Sequence, residues 1–256
     1  MLHAEIGGAG DPVVILHGLM GSCENWRAIR AALSDRYRVA CLDLPNHGKS
    51  PSAPQTDLDA MGDDVLETLH AHGVVGSFFL VGHSMGGKVA MQLACARPGR
   101  VRGLVVVDIS PRAIQPVHLF VLRACQQLDL AAAARRSDLD EALSAFIPLR
   151  ETRDFLLKNV VRGVDGAFAW RVPLHYIIDN YRVVSDAPPL PAPYPGPALF
   201  VAGETSPFRL RNDEELIRGW FPAAQFATIR GAGHLVHTDQ PDAFLAAVRA
   251  FWATCS

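Results

Sequence analysis

The sequence predicts an α/β fold: a mostly parallel, doubly wound sheet interrupted by an inserted all-helical segment. Three observations predict it. Short, continuous apolar runs recur along the chain, as expected of parallel strands buried on both faces. Helical patterns separate them, which is the alternation of βαβ units. The rhythm then stops after Asp108 and resumes only beyond "PPLPAPYPGP" (188–197), where proline fills six of ten positions.

Taken in order, the expected strands are "VVIL" (13–16), "RVACLD" (38–43), "FFLV" (78–81), "VRGLVVVD" (101–108), "ALFVA" (198–202) and "QFATI" (225–229). Between them, "CENWRAIRAALSD", "LDAMGDDVLETLHAHG" and "GGKVAMQLACARP" carry helical patterns. Residues 113–187 read as helices throughout, with no convincing strand. The proline stretch cannot be helix or central strand, so it serves as a stiff connector back to the sheet. The expected organisation is a core of 1–110 and 198–256, with 111–197 as a helical cap and its return linker.

The composition narrows the function classes. With 256 residues, 49% hydrophobic and 20% charged, the chain can build one substantial core. The net charge of −2, without basic runs, excludes an electrostatic nucleic-acid footprint. "MLHAEIGGAGDP" has neither a cationic nor an apolar leader region, so no signal peptide is expected. No apolar run approaches the ~20 residues of a membrane span. Five scattered cysteines (Cys23, Cys41, Cys95, Cys125, Cys255) suggest neither a disulfide framework nor zinc. The expectation is a cytoplasmic monomer or small homo-oligomer acting on a small molecule, without nucleic-acid or membrane partners.

The stretch "FFLVGHSMGGKVAMQLA" (78–94) fits two chemistries. Gly82-x-x-x-x-Gly87-Lys88 is nearly a phosphate-binding P-loop, but Val89 stands where a Mg²⁺-binding hydroxyl is needed. Lys88 then has an ordinary explanation as an exposed residue in the first turns of the helix. The alternative frame, Gly82-His83-Ser84-Met85-Gly86, is a G-x-S-x-G nucleophile elbow. A nucleophile on a sharp strand-to-helix turn needs glycines two residues either side, so the flanking segments can approach without Cβ clashes. Both glycines are present, between an apolar strand and a helix.

A serine nucleophile needs a base and an oxyanion site. His234, in "TIRGAGHLVH", follows the serine in chain order, just beyond an expected strand and two glycines. His237 is the competing base and is read as a packing or hydrogen-bonding neighbour. The amides of Met85, directly after the nucleophile, and of Leu19, after His17-Gly18, are the expected oxyanion donors.

With "LHGLMGS", "DLPNHGKSP", "VGHSMGGKVAM", "VVVDISP" and "GAGHLVHTDQPDAF" in order, the chain resembles the α/β-hydrolase superfamily. More narrowly, it is similar to the small carboxylesterases of the YbfF and ABHD11 type. The resemblance covers nearly the whole chain and is weakest in the cap. It implies the α/β-hydrolase fold, hydrolysis of esters and in some members acyl thioesters, and no cofactor. It also implies a shortened N-terminus, with "LHAEIG" as the one strand before the first core strand.

One element of the superfamily pattern is missing. Its commoner arrangement, V-x-G-x-x-D, places the triad acid where "FVAGETSPF" here offers Ser206. A serine cannot supply the charge that stabilises an imidazolium. Asp108, ending its strand, and Glu204, in the acid loop, are the two candidates. The resemblance favours Asp108, because this esterase group ends that strand D-I-[AS]-P; the competing role for Asp108 is to cap the following turn.

Asp43, Asn46 and His47 are expected to be structural turn residues rather than a metal site. Phe120, Phe146, Trp170, Tyr176 and Tyr181 are available to wall an acyl pocket or simply to pack the cap, and His175 to face the pocket or to be buried. The expected activity is serine carboxylesterase chemistry through Ser84, His234 and Asp108. The alternatives are an acyl-CoA thioesterase with the same triad, a weakly catalytic ligand-binding relative and, distantly, a P-loop NTPase.

Overall fold

The computed structural model describes residues 1–164 and 166–255. β1 (Ala4–Gly7) and β2 (Asp11–Leu16) are followed by α1 (Arg27–Leu33), β3 (Tyr37–Leu42), α2 (Leu58–Ala71), β4 (Phe78–His83), α3 (Met85–Ala96) and β5 (Val101–Val107). The insertion carries α4 (Val117–Gln126), α5 (Arg136–Ser144), α6 (Arg150–Leu157), β6 (Val160–Arg162), β7 (Phe168–Trp170), α7 (Leu174–Asp179) and α8 (Tyr181–Ser185). The chain then returns with β8 (Ala198–Gly203), α9 (Glu214–Trp220), β9 (Ala224–Ile229), α10 (Val236–Asp239) and α11 (Pro241–Trp252).

Seven strands form one sheet in the order β1-β3-β2-β4-β5-β8-β9. All pairs are parallel except β1 with β3. The six expected core strands are β2 to β5, β8 and β9, and "LHAEIG" supplies β1 at one edge of the sheet. Alternating side chains divide between two cores, because successive Cβ atoms point to opposite faces of a strand. Val14, Leu16, Leu80 and Val106 join α2, α3 and the insertion; Val13, Ile15, Val81 and Val105 join Trp26, Phe244 and Trp252 from the α1 and α11 side.

The insertion departs from the all-helical expectation. β6 and β7 pair antiparallel, Val160 opposite Trp170 and Arg162 opposite Phe168. Their β-branched and aromatic residues favour a pleated surface, and Gly166 adopts φ +80° between them. Runs of three residues are too short to register as a period of two, so helical neighbours mask them. The proline stretch is pinned at the sheet: the Tyr194 hydroxyl donates to the Val101 carbonyl at 2.9 Å and the Leu104 amide to the Pro197 carbonyl at 3.0 Å. Among the described residues, no helix is long and apolar enough to cross a membrane.

Candidate active site

The carboxyl ends of the parallel strands carry every residue singled out above for catalysis, as expected for open α/β sheets. Ser84 sits between β4 and α3 with φ 51° and ψ −116°. This conformation is costly for a residue with a Cβ and persists only where its surroundings enforce it. The flanking glycines show how. A Cβ on Gly82 would lie 2.2 Å from the Gly86 carbonyl oxygen, and one on Gly86 would lie 2.4 Å from that of His17. The Ser84 amide donates to the Val107 carbonyl at 3.0 Å, and its own carbonyl accepts the Lys88 amide at 3.1 Å.

Asp108 lies just past β5, also at positive φ (54°), with no exposed surface. Its amide donates to Val201 across the sheet at 2.8 Å. Its carboxylate receives the Gly203 amide at 3.0 Å, the Ser206 hydroxyl, and His234 Nδ1 at 2.7 Å. With Nδ1–H donating, Nε2 of His234 is left with a lone pair to accept a proton. Glu204 points its carboxylate elsewhere, accepting the Gly231 amide at 2.8 Å. Ser206, at the position where the superfamily pattern places an aspartate, donates to the Asp108 carboxylate.

His234 is further held through its main chain, since its carbonyl accepts His83 Nε2–H at 2.9 Å and the two rings lie 4.6 Å apart. The Phe208 and His234 ring centroids lie 4.5 Å apart. No Ser84–His234 hydrogen bond is formed among the described residues; contacts of this kind often tighten only when substrate is bound. The other nearby histidines are unsuited to act as base. Burial pushes His17 down, His83 well down, and His47 and His237 to about 3. His237 stacks on Trp26, centroids 3.8 Å apart, as a packing neighbour.

The expected oxyanion donors lie on either side of Ser84. Met85 opens α3, where first-turn amides have no intrahelical acceptor. Leu19 lies in a turn closed by the Gly21 amide on the Gly18 carbonyl at 2.9 Å. His17 fixes that turn, donating from Nδ1 to the Gly18 carbonyl at 2.8 Å and accepting the Leu44 amide at Nε2 at 2.9 Å. Gly18 packs on Ser84: a Cβ there would lie 3.2 Å from the Ser84 Cβ.

Asp43 and Asn46 are turn staples as expected. Asp43 accepts the Cys23 and Lys49 amides, and Asn46 exchanges two hydrogen bonds with Ala53. Lys88 contradicts its expected exposure. It is 1% exposed, and its ammonium donates to the carbonyls of Val184 (2.7 Å) and Asp186 (2.6 Å). Those partners lie almost a hundred residues along the chain, beyond any local pattern. Phe120 and Phe146 are exposed, and His175 is exposed beside Tyr176, so none of the three lines a buried pocket. Tyr181 is buried.

Residues 11–241 match the family model described as alpha/beta hydrolase fold. The chain belongs to the α/β-hydrolase family. Among relatives of this α/β hydrolase, the "sn-1-specific diacylglycerol lipase ABHD11" of Xenopus tropicalis is 40% identical over 244 residues, covering 92% of this chain and 76% of that protein. "Esterase YbfF" of Escherichia coli is 33% identical, covering 94% and 92%. A solved structure described as "Marine microorganism esterase" superposes with a TM-score of 0.93 at 35% identity, covering 98% of both chains.

Proposed function

We propose that this hydrolase is a serine carboxylesterase for small or medium-chain acyl esters, with Ser84 as nucleophile, His234 as base and Asp108 as the acid that orients it. Ester hydrolysis itself rests on kinship with proteins named esterases and a lipase. The observation that best supports the residue assignment is the 2.7 Å contact from His234 Nδ1 to a carboxylate that two further donors also hold. In this reading, residues 111–197 form the cap over a core of 1–110 and 198–256. The protein works in the cytoplasm, consistent with five free, buried cysteines.

Ser84 Oγ attacks the acyl carbonyl carbon as His234 Nε2 takes its proton. The amides of Leu19 and Met85 hold the oxyanion of the tetrahedral intermediate. The imidazolium, stabilised by Asp108, gives that proton to the leaving alkoxide. Water, deprotonated by His234, then attacks the acyl-enzyme; as the tetrahedral intermediate collapses, the imidazolium returns that proton to the departing Ser84 Oγ, and the carboxylic acid is released. The test is p-nitrophenyl ester hydrolysis from acetate to palmitate by wild type and Ser84→Ala, with fluorophosphonate labelling alongside. Turnover and labelling should both be lost in Ser84→Ala; retention of either removes Ser84 as nucleophile.

One observation favours acyl-CoA thioester hydrolysis as a second reading. A cavity of about 280 Å³ beside the oxyanion turn is lined by Met20 together with Arg27, Lys158 and Arg171, chemistry suited to phosphate. Glu24 shares this lining and lies 3.8 Å from Arg171. A kcat/KM higher for octanoyl-CoA than for p-nitrophenyl octanoate, lowered by Arg171→Ala, would select this reading.

A further inference from the structure

Lys88 is a buried cation that the mechanism above does not use. Burying an ammonium costs several kcal/mol unless it is fully partnered, and a Met of similar volume would fill the same space without that cost. Burial pushes its pKa down to about 8. What the charge adds is direction. It donates to the Val184 and Asp186 carbonyls, at the C-terminal end of α8, where a cation also complements the helix dipole. The Ser185 carbonyl between them accepts the Ile114 amide at 2.7 Å. Three consecutive carbonyls are thus taken where the insertion leaves and rejoins the core.

The same lysine holds the nucleophile turn, because its amide donates to the Ser84 carbonyl. From α8 a chain of side chains leads back to the base. Tyr181 Oη lies 3.4 Å from His118 Nδ1, the His118 ring stacks on Phe208 at 6.3 Å, and Phe208 lies against His234. We propose that Lys88 is a positioning residue: its ammonium latches the end of α8 to the nucleophile helix and thereby sets the Tyr181–His118–Phe208 wall that selects the acyl chain. This rests on the esterase reading above.

The test compares wild type with Lys88→Met and Lys88→Gln, using p-nitrophenyl esters from acetate to decanoate and hydrogen exchange by mass spectrometry. Lys88→Met should lower the octanoate-to-acetate ratio of kcat/KM about tenfold, mainly through KM, as fits losing hydrogen bonds to a charged group. Amides of 174–186 should exchange faster while those of 78–96 stay protected. Lys88→Gln, which keeps two donors, should fall between, and it carries the same measurements if Lys88→Met does not fold. An unchanged chain-length profile, unchanged exchange over 174–186, or an equal loss of kcat on every ester would overturn the latch. If wild type hydrolyses none of these esters, the esterase reading fails, and the exchange comparison still decides whether Lys88 holds α8.

Discussion

The carboxyl edge of the sheet and the inserted segment are built by different rules. At the sheet edge, close backbone approach leaves no slack. Gly82 and Gly86 leave no room for a Cβ, Ser84 and Asp108 stand at positive φ, and one carboxylate gathers three donors. The insertion is made of short helices and a small hairpin, and it leaves Val117, Phe120, Phe146 and Leu149 exposed. It packs into the same buried cluster as one face of the sheet, and its polar ties to the core include Lys88 on α8, Asn159 Nδ2 on the Met20 carbonyl at 2.7 Å, and Asn180 on Thr56 and Pro54. The contrast separates two tasks. Reacting groups must be held within fractions of an ångström, whereas short helices with exposed apolar residues carry no such constraint on their outer face.

That contrast can be broken most severely at the elbow. Gly86→Ala forces a Cβ into the His17 carbonyl, so it should cost roughly 1–3 kcal/mol in thermal unfolding and lower p-nitrophenyl acetate turnover more than tenfold. Wild-type stability there would mean the turn has slack the structure does not show. Next in size, Ser206→Ala removes a donor from the Asp108 carboxylate. It should reduce kcat about tenfold with little change in KM, the scale of one hydrogen bond to a charged group. A change confined to KM would assign Ser206 to the pocket instead.

A smaller effect appears in the pH dependence of stability. His237 stays neutral in the fold to about pH 3, while its unfolded counterpart takes up a proton near 6.5. The unfolded chain therefore binds more protons as pH falls from about 6.5, and stability declines towards acid. His237→Phe keeps a ring on Trp26 but removes that uptake, so melts from pH 7 to pH 4 should decline less steeply, by up to ~1.4 kcal/mol per pH unit. An identical slope would show that His237 is not held neutral. In the insertion, Phe120→Ser should change unfolding free energy by no more than about 0.5 kcal/mol, because that ring is 60% exposed. A larger loss would show that Phe120 belongs to a packed surface.

The same division decides how far the site was legible. Parallel strands announce themselves as continuous apolar runs, and the elbow, the base and the oxyanion turn each lie within a few residues of a recognisable strand end. Asp108 is favoured over Glu204 in the sequence only through the family resemblance, because what distinguishes the two physically is contact with His234, 126 positions away. Ser206 read as a defect in the acid loop; its role as a donor to Asp108 depends on a partner 98 residues distant. Lys88 was misplaced on the surface for the same reason, and the β6–β7 hairpin was too short to carry a period.

In the proposed triad the acid stands at the end of β5, not in the loop after β8. The most direct test is kcat on p-nitrophenyl butyrate for Asp108→Asn beside Glu204→Gln, both checked for folding by thermal melt. Asp108→Asn should lower kcat by up to ~10⁴-fold with the fold intact, because asparagine neither fixes the required tautomer nor stabilises the imidazolium. Glu204→Gln should stay near wild type. A large loss from Glu204→Gln with Asp108→Asn near wild type would contradict the account and return the acid to the loop after β8.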